Sequence, residues 1–194
     1  MLDSYGHFRG LVTLGHYDRR GRIVGAPTVL KPNLVTLGGC EVLARALTGD
    51  VAYKINGVYF EFENTAGTPA AVSYTRSTTA ADMRGLAGSL TKGVVRSFLA
   101  SGGIIETGDS SASGLPYANN RATFFALATA ANDLAGNTVF GSAVNSKIVS
   151  IGLLALPVAA DATKDVLFAR FTPATPFAVQ AGRSPGVTWT VELL

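Results

Sequence analysis

Residues Gly182 to Gly186 read GRSPG, the G-x-S-x-G spacing with which hydrolases hold a nucleophilic serine on a sharp turn. The chemistry would be acyl transfer: Ser184 attacks a carbonyl, a histidine takes its proton, and the backbone N–H after the serine steadies the oxyanion. Two features oppose it. Pro185 follows the serine and has no N–H to give. The base of such an order follows its nucleophile, yet His7 and His16 both lie near the start of the chain. Ser184 is therefore read as part of a turn before the last strand, and the chain is read as non-enzymatic.

Other chemistries are equally thin. Two histidines and one cysteine provide no C-x-x-C or H-x-x-x-H spacing for a transition metal. Asn132 with Asp133, or Asp161 with Asp165, could lend oxygens to calcium, but neither pair belongs to a loop with enough ligands. All four are read as turn residues. GSLTKG contains Lys92 without the glycine order of a phosphate loop. Tyr53, Tyr59, Phe60 and Phe62 could form a platform for sugar stacking, with Tyr117 from a long loop. Phe60 and Phe62 alternate in step with Val58, however, so packing in a core is the expectation. No catalytic, cofactor-binding or metal-binding residue is assigned, and no cofactor is implied.

The elements around these residues are mostly strands. VTWTVELL, residues 187–194, alternates without interruption and puts Val187, Trp189, Val191 and Leu193 on one face. It closes a series with SKIVSIGLLALPV and KDVLFARFTP, and makes Trp189 a core anchor whose indole N–H wants an acceptor. YKINGVYFEFEN and GVVRSFLASGGIIE read as strands as well. HFRGLVTLGHYDRRGRIVGAPTVL holds two runs, about 7–15 and 22–30, joined at Asp18 and Gly21 into a hairpin or an extended arm. The period changes to that of a helix at about 39–48, where Cys40, Leu43, Ala44 and Leu47 recur on one face and Gly49 follows. On that face Cys40 is expected to be a small buried hydrophobe. RATFFALATAANDLAG, residues 121–136, suits either a strand or a helix; its surroundings favour a strand. Residues 65–90 read as a loop or an extended surface run, and GDSSASGLPYANN as the longest loop. The expected fold is an all-β sandwich or jelly roll over residues 31–194, with one short helix and an amino-terminal hairpin or arm over 1–30.

Composition narrows the function class. Charged residues make up 15% of the chain and apolar ones 47%, whereas a soluble domain carries about 25% charge. So dry a surface implies cover by other subunits. The most apolar run, Ile148 to Ala160, is shorter than the roughly 20 residues of a membrane span and contains Ser150 and Pro157. The first residues, MLDSYGHFRG, have no apolar core of a secretory signal, and a lone cysteine suits a reducing cytoplasm. A net charge of +3 is modest. Arg9, Arg19, Arg20, Arg22 and Lys31 lie around a turn without interleaved aromatics, so a nucleic-acid stripe is not expected.

Three phrases, in order, carry a resemblance. KPNLVTLGGCEVLARALTG resembles a stretch near the start of tailed-bacteriophage virion proteins, "N-L-V-T-x-x-G" followed by an "L-A-x-x-L" helix, through Asn33, Leu34, Val35, Thr36, Gly39, Leu43, Ala44 and Leu47. INGVYFEFENTAG is similar to their "G-x-Y-x-x-F/Y-E-N" strand. The carboxyl third resembles their "D-V-x-F-x-R" and "V-x-W-x-I/V" strands through Asp165, Val166, Phe168, Arg170, Val187 and Trp189. The resemblance implies a structural subunit of a virion, made in the host cytoplasm, in the tail, the fibre-attachment region or the capsid surface as a decoration protein. It implies a symmetric homo-oligomer and contacts with other virion proteins. A carbohydrate-binding or adhesin module that meets a host surface glycan is the alternative.

Overall fold

Alternating side chains assemble into two facing sheets. The computed structural model describes residues 8–18, 20, 22–30, 34–50, 52–64, 68–69, 74–84, 92–99, 121–128, 146–156, 161–180 and 182–193. The strands are β1 (Phe8–Tyr17), β2 (Ile23–Leu30), β3 (Leu34–Val35), β4 (Lys54–Asn64), β5 (Lys92–Phe98), β6 (Arg121–Leu127), β7 (Ser146–Leu156), β8 (Val166–Phe171), β9 (Phe177–Ala178) and β10 (Ser184–Leu193). The helices are α1 (Leu37–Leu47) and α2 (Ala80–Arg84). One sheet has the order β2-β1-β10-β6; the other runs β3-β8-β7-β4-β5, with β9 also paired to β7. The fold is all-β and sandwich-like, and among the described residues its sheets do not close into a barrel.

The core lies between the sheets. Val187, Trp189 and Val191 of β10, with Val12, Leu14 and Phe124 beside them, meet Val58, Phe60, Phe62, Ile151 and Phe168 of the second sheet in one buried cluster. Trp189 is fully buried at its centre. Among the described residues its Nε1 finds no acceptor, in contrast to the partner expected for it. The segment 121–127 is strand, antiparallel to β10; residues 129–136 of that run lie outside the described residues. The amino-terminal hairpin exists as β1 and β2, and β1 pairs along its length with β10, from Phe8 with Leu193 to Tyr17 with Ser184. Asp18 shapes its turn by accepting from the backbone N–H groups of Arg20 and Arg22.

The helical region departs from expectation in two ways. α1 starts at Leu37, where Thr36 caps it by accepting from Gly39 N at 3.1 Å. The side turned to the core is Gly39 and Val42, with Leu43 partly buried; Cys40, Ala44 and Leu47 face away. The buried Cys40 expected above is thus corrected to an exposed one. The cause is a close approach to β8. The Thr36 hydroxyl donates to the Leu167 carbonyl and Thr36 N to the Phe168 carbonyl, and a Cβ on Gly39 would overlap the latter. A helix pulled in through its glycine turns the Cys40 side outward. The second departure is α2, in a stretch expected to be loop: its Ala80 and Met83 are buried on the outer face of the second sheet.

Candidate functional site

The outer face of the second sheet gathers polar groups that acid–base chemistry could use. Strand alternation places Tyr59 and Glu61 of β4 on this face, opposite the core-facing Val58, Phe60 and Phe62. Arg96 of β5 stands directly across from Tyr59, and Ser150 of β7 across from Glu61. Arg170 of β8 and the turn residue Asp165 complete the ring, while Tyr74 lies over it.

Two knots result. Asp165 accepts from Arg96 Nη2 at 2.6 Å and Nε at 2.8 Å, and from the Tyr59 hydroxyl at 2.5 Å. The carboxylate of Asp165 is wholly enclosed and the Arg96 side chain nearly so. In the second knot the Tyr74 hydroxyl donates to Glu61 at 2.5 Å. Arg170 donates to Ser150 Oγ through Nε at 2.9 Å and Nη2 at 2.6 Å, and its Nη2 lies 3.6 Å from Glu61. The guanidinium also covers the Tyr74 ring.

Burial governs the electrostatics. It raises Glu61 above the ordinary carboxyl range, against the opposing pull of the Tyr74 hydrogen bond and the Arg170 charge. It raises the Tyr59 and Tyr74 phenols, with their carboxylate partners adding to the shift. It lowers Arg170 to about 10, the charges of Tyr74 and Glu61 opposing that fall. A carboxyl with a raised pKa beside a tyrosine and an arginine is a set that could move a proton. Glu61 and Arg170 are each only 2% exposed, however, and their polar atoms point at one another. In this packing the groups brace the sheet; they do not present a reacting surface.

The residues singled out for chemistry are dispersed. Ser184 pairs with Tyr17, and His16 with Pro185, so serine and histidine are neighbours in register. Alternation nevertheless places His16 with Val12 and Leu14 on one side of the sheet, and Ser184 with Thr188 on the other. His16 instead latches the two sheets together. It stacks on Phe177 at 4.6 Å, and its Nε2 lies 3.1 Å from the Ala178 carbonyl and 3.2 Å from Gln180 N, the tautomer deciding which it engages. Burial holds His16 below its usual value; the Ala178 hydrogen bond raises it, and the nearby Arg183 charge lowers it further.

Asp161 caps a 3-10 turn, accepting from Thr163 N at 2.9 Å, while Asp165 belongs to the buried knot. Among the described residues no three His, Cys, Asp or Glu side chains gather as metal ligands. Lys92 lies at the start of β5, 3.7 Å from Glu63. Tyr59, Phe60 and Phe62 are fully buried and so form no exposed platform; Tyr53 is half-buried with Arg45 over its ring. His7, Tyr117, Asn132 and Asp133 lie outside the described residues. No described helix is long and apolar enough to cross a membrane.

Sequence reading passed over the knots, although a signal was there. VYFEF, VVRSF and LFARF each carry one charged residue amid apolar ones, and a charge at a strand interior position needs a partner of opposite sign. Comparison with protein-family models, with curated proteins and with solved structures finds no match for this chain.

Proposed function

We propose that this chain is a non-enzymatic structural subunit of a tailed-bacteriophage virion, seated in the tail, the fibre-attachment region or on the capsid surface. The observation that carries the reading is the meeting of the three phrases. Thr36 and Gly39 of the first dock on Leu167 and Phe168 of the third. Tyr59 of the second donates to Asp165 of the third, the residue that Arg96 also grips. Phrases far apart in sequence supply one packed unit, and that supports a shared scaffold over chance likeness of separate runs.

The surface fits such a role. The outward side of the first sheet carries an exposed Leu11 with half-buried Thr13, Thr123, Phe125, Thr188 and Thr190, and the register sets Arg9, Glu192 and Arg121 in one row at its end. Thr123 and Thr190 hydrogen-bond across it at 3.0 Å. The uncharged part of this face can associate by burial and by hydroxyl contacts. Among the described residues β2 is an edge strand, and it carries Pro27 and the left-handed Gly25, features that discourage indiscriminate strand pairing.

The test is capture. The purified chain is immobilised and offered the tail and capsid proteins encoded beside it in its genome. Retention of one of them, abolished by Thr188→Arg with Thr190→Arg, is the expected result. A chain that retains none of them, yet binds glycans on an array, overturns the virion reading in favour of the adhesin.

A further inference from the structure

Helix α1 buries Gly39 and Val42 and leaves an apolar row on its other side. The row is Leu37, Cys40, Ala44 and Leu47, spaced three, four and three residues apart, which is the rhythm with which one helix packs on another. Leu37 is 56% and Leu47 89% exposed, and the two small residues between them are exposed as well.

The row reads the same from either end. About the level of Val42, Leu37 mirrors Leu47 and Cys40 mirrors Ala44. Two copies crossing antiparallel about a two-fold axis therefore set leucine on leucine and small residue on small residue, the self-complementarity that an isologous contact requires. The charges obey the same symmetry. Glu41 and Arg45 lie along one flank, 2.8 Å apart within the helix, and an antiparallel two-fold brings that flank against its own copy. With a rise of about 1.5 Å per residue, Arg45 of one copy falls within about 3 Å, along the axis, of the level of Glu41 in the other; the two Glu41 carboxylates come as near, so each Arg45, which also holds Asp50 at 3.0 Å, sits among three carboxylates. A parallel pair would set this flank beside the Leu43 flank and forgo both contacts. Arg76, whose Nη2 is 3.4 Å from Cys40 Sγ, borders the row.

We infer that α1 is a self-association surface, on which a second copy of this chain pairs antiparallel through Leu37, Cys40, Ala44 and Leu47 with Glu41 and Arg45 exchanging partners. One helix face is smaller than the roughly 800 Å² per partner of a standard interface, so the pair is weak in dilute solution and forms where copies are concentrated. Its biological role rests on the assembly reading proposed above, but its geometry does not: a chain that captures no virion protein can still pair, and a chain that captures one can still be a monomer.

Oxidative cross-linking of the full chain tests the register. Cys40 of one copy faces the thiol introduced by Ala44→Cys in the other, so diamide, taking up the two hydrogens of each thiol pair, links Ala44→Cys into a dimer that reductant reverses. Within one chain the two thiols sit at helical i,i+4 spacing, about 5–6 Å between Cβ atoms, too far for an internal disulfide of about 3.8 Å. Ala46→Cys, on another side of the helix, is the control and stays unlinked. Adding Leu47→Glu to Ala44→Cys lowers the dimer yield at least tenfold, with the circular dichroism spectrum and unfolding midpoint unchanged. Sedimentation velocity of the unmodified chain shows a concentration-dependent shift from monomer toward dimer, which Leu47→Glu removes. An Ala44→Cys chain that stays monomeric after oxidation, or equal linkage through Ala46→Cys, overturns the inference.

Discussion

Asp165 accepts from Nε and Nη2 along one edge of the Arg96 guanidinium and from the Tyr59 hydroxyl, inside the packed outer face of the second sheet. Removing one member strands the other without water. Asp165→Ala is expected to cost about 3–5 kcal/mol in urea unfolding, whereas the apolar pair Asp165→Leu with Arg96→Met recovers most of that loss. An Asp165→Ala chain as stable as the parent would show that the knot contributes nothing. His16 makes a different prediction. Its folded pKa is below the ordinary value of about 6.5, so between the two values the unfolded chain binds more protons than the folded one. The contribution of neutral His16 is therefore complete above that ordinary value and is lost as pH falls through the lowered folded one. The unfolding midpoint should drop between pH 7.5 and 5, and His16→Gln should make that drop smaller.

At the scale of elements, α1 shows how a glycine can decide an orientation. Periodicity located the helix to within two residues at its start, but it reports that a helix has two sides and not which side is buried. Gly39 settles the matter by letting the backbone approach β8, and that contact lies far away in sequence. Gly39→Ala should destabilise the chain by about 1–3 kcal/mol through overlap with the Phe168 carbonyl. Thr36→Ala should cost about 1 kcal/mol for the lost cap. Thermal melts of the two variants would order them; an Ala at position 39 that raises stability through helix propensity would contradict the close approach. The strands β4 and β10 were legible because alternation is local, and β7 and β8 because a short apolar run bounded by turn residues is local too. The buried knots were not, since Glu61, Arg96, Asp165 and Arg170 come from separate segments and acquire meaning only when the sheet brings them together. α2 was missed because its five residues are held by the burial of Ala80 and Met83, too short a run for periodicity to register.

For the whole molecule, β10 is the strand on which both sheets depend. It lies between β1 and β6 in one sheet and sends Trp189 into the core that faces the other. Trp189→Ala should cost about 3–5 kcal/mol. Deleting residues 187–194 should abolish folding altogether, read as loss of the cooperative transition and of the near-ultraviolet dichroism. A truncated chain that still unfolds cooperatively would place the centre of stability elsewhere. The pairing of Phe8 with Leu193 also fixes a sequence of events in synthesis. While the ribosome is still at work on residues 184–193, β1 and β6 have no strand between them, and Val12, Leu14 and Phe124 have no tryptophan to pack against. Beyond the local β1–β2 hairpin, the first sheet is therefore completed only after translation has passed β10, and contacts so distant in sequence close slowly. Nascent chains stalled before residue 184 should be held by chaperones and cut readily by protease, and the same chains should become resistant soon after release at full length.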